Sequence, residues 1–229
     1  MSVKITKIEI IKLNIPYKEP FVISLGVIPE ATNVVVRIHT NTGLTGTGEC
    51  APFVFIVGET QETVFELAKQ VGKMLLGRNP FALAERLFEI DRAVQGNPTM
   101  KSAFDMALYD LLALQANMPL YQLLGGSNTR EIHTDMTISI GDPEKVARDA
   151  IAFKQAGYPA IKVKLGTTTR EDVARIKAIR EAVGPDYPIR IDANQGWDTI
   201  TAIETLKALE PLGLNTVKNP SPIGTTGSW

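Results

Sequence analysis

The chain has 229 residues, 44% of them hydrophobic and 21% charged, with a formal net charge of -1 at pH 7. That length suits one domain or two modest ones with a substantial core, and the balanced charge gives no argument for nucleic acid or an anionic membrane, which leaves a small-molecule partner. No stretch approaches the roughly 20 apolar residues that span a bilayer and residues 1–7 have no apolar targeting core, so the cytoplasm is the expected compartment, and the single cysteine, Cys50, excludes an intramolecular disulfide and a cysteine-based zinc site.

Residues 5–13 and 33–40 read as strands, the second carrying Val34, Val35, Val36 and Ile38 before a turn at Asn41-Thr42-Gly43. Gly43, Gly46 and Gly48 punctuate a return strand that ends near Glu49. These glycines lack both the lysine and the strand-to-helix setting of a phosphate loop, so a hairpin fits them better. A nucleophilic Cys50 would need a histidine, and the chain has His39 and His133 alone; a buried structural thiol is the expected role. Helical periodicity follows over 60–76, 80–94 and 100–115. Strands followed by a run of helices imply an α+β unit, which ends at Pro119-Leu120-Tyr121-Gln122-Leu123-Leu124-Gly125-Gly126 and divides the chain into residues 1–126 and 127–229.

Beyond residue 130 a unit of about 26 to 28 residues repeats, each a short apolar strand and a capped helix. The strands are 133–140, 160–165, 189–193 and 214–217; the helices start at Asp142-Pro143, Thr169 and Asp198 and stop near Gly157, Gly184 and Gly213. Such βα alternation requires a parallel sheet, and three and a half units are half of an eight-unit barrel. The expected fold class is therefore α/β: an α+β domain followed by the first half of a (β/α) barrel, truncated after about the fourth strand.

Two pairs of polar residues stand out at or near the C-terminal ends of these strands. Lys162 and Lys164 in Ala160-Ile161-Lys162-Val163-Lys164-Leu165-Gly166 share one side of a strand, as do Asp192 and Asn194, which close the run Ile189-Arg190-Ile191-Asp192-Ala193-Asn194. The lysines could belong to a solvent-facing edge, and the Asx pair could be a turn before the Asp198 cap. A same-side cationic pair on a strand between two βα units is costly unless it faces a barrel mouth, and Asp192 lies where a hard cation would find oxygen ligands. Crowded lysines near a metal lose proton affinity, which suits abstraction of a proton beside a carboxylate, a reaction whose dianion needs a neutralising cation.

At this point the chain resembles the enolase superfamily, its muconate-lactonizing subgroup, and within it the dipeptide epimerases. The resemblance covers about residues 1–213 and rests on Ala103-Phe104-Asp105-Met106-Ala107-Leu108-Tyr109-Asp110 leading to the 119–126 segment, on the Lys-x-Lys strand, and on Asp192-Ala193-Asn194-Gln195-Gly196-Trp197. It implies a capping domain closing over a barrel and a magnesium-dependent isomerase acting on a dipeptide or related carboxylate, with no nucleic acid or membrane partner and a homo-oligomer at full length. By the same resemblance Lys164 is expected to take the acid/base role, Lys162 to stabilise the enediolate, Asp192 to be the first magnesium ligand and Asn194 to stand behind it. Two loops that set specificity match 20–26 and 51–56, with Phe21, Ile23, Ser24, Phe53 and Ile56 as substrate-facing candidates and Thr137 as a further contact. Their apolar, uncharged character suits a small hydrophobic or neutral substrate side chain, although Phe21, Phe53 and Phe55 could equally serve interdomain packing. Muconate cycloisomerase and o-succinylbenzoate synthase share the same first half, and a non-catalytic remnant is a further alternative.

The resemblance breaks after residue 214. Where the family has a Glu-x-Pro motif that supplies a second magnesium ligand, this chain reads Val217-Lys218-Asn219-Pro220, so Lys218 occupies the glutamate's place. A further aspartate ligand and an opposing lysine, which the family takes from later strands, do not follow. With suitable codons, a two-nucleotide forward shift would instead encode Tyr-Cys-Glu-Glu-Pro-Leu-Pro-His-Trp-Asp-Asp-Trp-Gln-Leu. A frameshift near residue 214 is the expectation, and the nucleotide sequence decides it. A chain that ends as written is expected to expose two strand edges and to have negligible activity.

Overall fold

The structure, a computed structural model, describes residues 2–221 and divides into two compact units. The first holds the chain up to Tyr17 together with Glu30–Arg130; the second holds Lys18–Pro29 and the chain from Glu131 onward. Of the divergent segment after residue 214, residues 222–229 lie outside the described residues.

The first unit is built on a sheet of order β1-β2-β3, with β1 at Ile5–Ile23, β2 at Gly26–Thr40 and β3 at Thr45–Cys50. Both leading strands run well past their expected limits to meet at a two-residue turn, Ser24-Leu25. The extensions hold Pro16, Pro20 and Pro29 and show little alternation of buried and exposed positions, so neither composition nor period marks them as strand. Strands β2 and β3 pair antiparallel from Val34↔Cys50 to His39↔Thr45 around a turn in which Gly43 has φ +87°.

Helices α1 (Val54–Val57), α2 (Gln61–Leu75), α3 (Leu83–Ala93), α4 (Pro98–Gln115) and α5 (Leu120–Leu123) follow. Val34, Val36 and Ile38 of β2 share a core with Val64, Ala68 and Leu75 of α2 and Phe104, Leu108 and Leu111 of α4. Gly46 and Gly48 serve that packing: a Cβ on either would lie 2.2 Å from the Ala107 carbonyl oxygen or 2.0 Å from that of Ala103. They are the flat surface on which α4 rests, which accounts for their spacing without a phosphate. The N-terminus of α4 lacks a cap from Asn97, and the buried Glu59 carboxylate accepts from Thr99 N at 2.9 Å and Met100 N at 3.1 Å instead. Cys50 is buried, its thiol directed at the Val34 carbonyl oxygen 3.6 Å away, and burial pushes its pKa up to about 11, so it stays a neutral structural thiol.

The second unit carries four parallel strands in sequential order: β4 (Met136–Ile138), β5 (Ile161–Lys164), β6 (Ile189–Asp192) and β7 (Thr216–Lys218). Helices α6 (Pro143–Gln155), α7 (Thr169–Val183) and α8 (Thr199–Leu209) alternate with them. Asp142, Thr168 and Asp198 cap these helices through their side-chain oxygens, as the sequence pattern requires. Strand β4 is shorter than expected because residues 133–134 are exposed and unpaired with β5. Ile138, Ile161, Val163, Ile189 and Ile191 form one core with Val146, Ala150, Ile176, Ile179, Ala202 and Leu209 of the three helices. Sequential strand order with the helices on one face is the winding of a βα barrel, unlike the two-faced cover of doubly wound sheets. The opposite face of the sheet, free of these helices, carries the polar side chains. Among the described residues no helix is long and apolar enough to cross a membrane.

Candidate active site

Parallel register sorts the polar face into rows. One row runs Thr137, Lys162, Arg190, Thr216 across β4 to β7, and the next, nearer the strand ends, runs Lys164, Asp192, Lys218. Alternation along β5 sends Ile161 and Val163 to the core and both lysines to this face. Among the described residues the two rows hold four cations, Lys162, Lys164, Arg190 and Lys218, and one carboxylate, Asp192; Lys164 and Lys218 meet Asp192, and Arg190 donates to Asp135 at 3.0 Å.

Lys164 is 6% exposed, and its Nζ donates to Asp192 Oδ2 at 2.9 Å and Asn194 Oδ1 at 2.8 Å. The Phe21 ring lies beneath it, 5.6 Å from Nζ to centroid. Burial pulls its pKa below the ordinary lysine value, with Lys162 and Lys218 pushing the same way and Asp192 opposing. A lysine held so becomes available as a base closer to neutral pH. Asp192 is fully buried; burial would raise its carboxyl, but Lys164, the Asn194 backbone N–H and Lys218 together hold it below its usual range. Asn194 N donates to Asp192 Oδ1 at 3.0 Å from a left-handed backbone, φ 48°.

The tip of the β1–β2 hairpin belongs to this unit. Val22 accepts from Ile140 N at 3.0 Å, and the Ser24 hydroxyl is shared between the carbonyl oxygens of Ala193 at 2.9 Å and Asn194 at 3.2 Å. A Cβ on Gly166 would come within 2.8 Å of Ser24 Cβ, and one on Gly196 within 2.6 Å, so the two glycines form a cradle that only a bare backbone leaves open. Ser24 thus fastens the tip to the loops that follow β5 and β6, Ile23 is buried beside it, and Phe21 faces Lys164. An open groove of about 730 Å³ lies between the tip and β4, lined by Phe21, Val22, Thr137 and Ser139 among others. Phe21 links groove and lysine. Phe53 and Ile56, the remaining expected contacts, belong to the first unit: Phe53 precedes α1 and packs edge-on against Phe55 at 5.6 Å, and Ile56 is 49% exposed.

A buried carboxylate outside the expected set holds the loops in place. Asp172, fully buried in the first turn of α7, accepts from Gly166 N and Thr167 N at 3.0 Å each, from Thr167 Oγ1 at 2.9 Å, from Trp197 Nε1 at 2.8 Å and from Arg175 Nη1 at 2.6 Å. Arg175 Nε donates in turn to the Gly141 carbonyl oxygen at 2.7 Å. The pair therefore ties together the loops after β4, β5 and β6. In sequence Asp172 looks like an ordinary acidic residue at a helix N-terminus, beside the Thr168/Glu171 capping box, and only its place at i−3 from Arg175 hints at more.

The donor set gives a clear result for magnesium. A hard divalent ion takes several oxygen ligands, at least one or two of them carboxylates. Among the described residues no group of three or more His, Cys, Asp or Glu side chains converges. Asp192 is the one carboxylate of its row, and its Oδ2 already lies 2.9 Å from the Lys164 ammonium and 3.4 Å from that of Lys218. As described, these residues do not fit a magnesium ion.

Residues 5–125 match the family described as "Mandelate racemase / muconate lactonizing enzyme, N-terminal domain", and residues 145–225 match "Enolase C-terminal domain-like". The chain is 46% identical over 216 residues to a D-Ala-D/L-Ala epimerase of Cytophaga hutchinsonii, covering 94% of this chain and 59% of that protein. It is 40% identical over 218 residues to a hydrophobic dipeptide epimerase of Enterococcus faecalis, covering 95% of this chain and 61% of the relative. A crystal structure of the dipeptide epimerase from Cytophaga hutchinsonii, complexed with Mg and D-Ala-L-Val, superposes with a TM-score of 0.93 at 46% identity over 96% of this chain and 60% of that one. The chain thus spans about three fifths of the length of these relatives. It belongs to the enolase superfamily, with the N-terminal domain of the mandelate racemase and muconate lactonizing enzyme family.

Proposed function

We propose that this chain carries one side of a site for proton abstraction next to a carboxylate, as in dipeptide epimerisation, with Lys164 as the acid/base group. The observation that carries this reading is the Lys164 ammonium: buried at the C-terminal end of a parallel strand, its pKa lowered by burial, and framed by Asp192, Asn194 and Phe21. Lys162 and Arg190 supply positive charge in the adjacent row, where an anionic carboxylate would be drawn. Phe21 and Thr137 line a groove that also carries Lys18, Glu19, Lys145 and Asp149, and the preference for a small uncharged substrate side chain rests on the resemblance of the 20–26 and 51–56 loops. Phe53 and Ile56 are assigned to the same specificity role by resemblance. Magnesium is the cofactor that the resemblance implies for the family reaction, and the described residues around Asp192, paired with Lys164 and Lys218, do not by themselves fit it.

A second reading, binding without turnover, draws on Lys218, which already occupies the Asp192 carboxylate. Exchange of the substrate α-proton in deuterated solvent separates the two. With a panel of uncharged dipeptides, the first reading expects solvent deuterium to appear at the α-carbon and Lys164→Ala to lower that rate at least about 100-fold, in the range of a positioned acid/base group. Dipeptide binding with no exchange above the Lys164→Ala background would establish the second. Exchange without net epimerisation would point to a one-base version of the same chemistry.

A further inference from the structure

Asp192 closes β6 and is fully buried. Both of its oxygens are occupied: Oδ1 accepts the Asn194 N–H at 3.0 Å, and Oδ2 faces the Lys164 and Lys218 ammonium groups at 2.9 and 3.4 Å. Lys218 does not arrive by chance rotation of a distant side chain. It is the register partner of Asp192 on the neighbouring strand, and its own carbonyl oxygen accepts from Ala193 N at 3.2 Å. Its side chain is 60% exposed, so the ammonium keeps much of its water while reaching the carboxylate. A divalent cation at Asp192 would need further oxygen ligands close by, and both other described members of its row are lysines. It would also meet two like charges within a few ångströms of its one anionic ligand.

We infer that Lys218 stands in place of a divalent cation: the Asp192 carboxylate is neutralised from within the chain, and the site does not take up a metal ion. The inference rests on the geometry around Asp192 and not on the acid/base role proposed for Lys164, although it denies that reaction a metal at Asp192.

Manganese, followed by the electron paramagnetic resonance signal of the free ion, probes the full chain directly. The unaltered chain is expected to show no Asp192-dependent Mn²⁺ binding, whereas Lys218→Glu should bind one equivalent at least tenfold more tightly than the unaltered chain and lose it when Asp192→Asn is added. One equivalent bound by the unaltered chain and lost in Asp192→Asn would overturn the inference. Should Lys218→Glu bind nothing, the unfolding equilibrium constants of Asp192→Asn, Lys218→Gln and the double variant decide the matter. A coupling of threefold or more between the two positions supports Lys218 as the neutralising cation, and a smaller coupling refutes it.

Discussion

Asp192 holds a negative charge out of water by surrounding it with donors, and its stability contribution therefore depends on protonation. Its carboxyl is lowered from an ordinary value of 3.8, so the stability it confers is fully present above that pH and is lost as the pH falls through the lowered folded-state value. Asp192→Asn removes the charge and strands the Lys164 ammonium, so urea unfolding at pH 7 should show a loss of about 3 kcal/mol, the usual scale for breaking one side of a buried pair. The same comparison in strong acid should show a much smaller difference, because both chains then lack the charge. That Lys162 and Lys164 share a face could be read from strand spacing, since a period of two fixes which side chains lie together. The importance of Asp172 and Arg175 could not: it comes from three loops that meet only when the strands are side by side. Nothing in the run 189–193 marks Arg190, and strand register alone makes it the neighbour of Lys162.

At the scale of elements, glycine does two different jobs within one hairpin. Gly43 has positive φ and open space around its missing Cβ, so Gly43→Ala is expected to cost about 1–2 kcal/mol of backbone strain. Gly48 has no such backbone requirement but sits against the Ala103 carbonyl, where an added methyl would overlap α4; a loss of about 3 kcal/mol or more is expected, at the upper end of overpacking. Thermal unfolding of the two variants side by side would test the ranking. The hairpin itself could be read from turn chemistry, but the reason for its glycines could not, because the partner helix lies more than 50 residues away in sequence. Elements with strong period and caps, such as α2 and α7, came within a residue or two of expectation, whereas the proline-bearing extensions of β1 and β2 gave no periodic signal.

For the whole molecule, the two hydrophobic cores share no residue, one centred on α4 and β2 and the other on β5 and β6. Trp197 is buried in the second core, so its fluorescence follows that unit while far-UV circular dichroism follows both. Phe104→Ala, a fully buried position in the first core, should cost about 3–5 kcal/mol there and move the dichroism transition to lower urea ahead of the fluorescence transition. Coincident shifts would show instead that the units unfold as one. Chain order adds a timing problem. Ser24 leaves the ribosome early, yet the carbonyl it binds on Ala193 is 169 residues downstream. At ordinary synthesis rates that partner arrives roughly 10–30 s later. Through that interval the hairpin tip, with Phe21, Val22 and Ile23, must wait without its docking surface. The nascent chain therefore exposes an apolar β-ribbon for a period set by translation, and slow codons placed between the two segments should lengthen its dependence on chaperones.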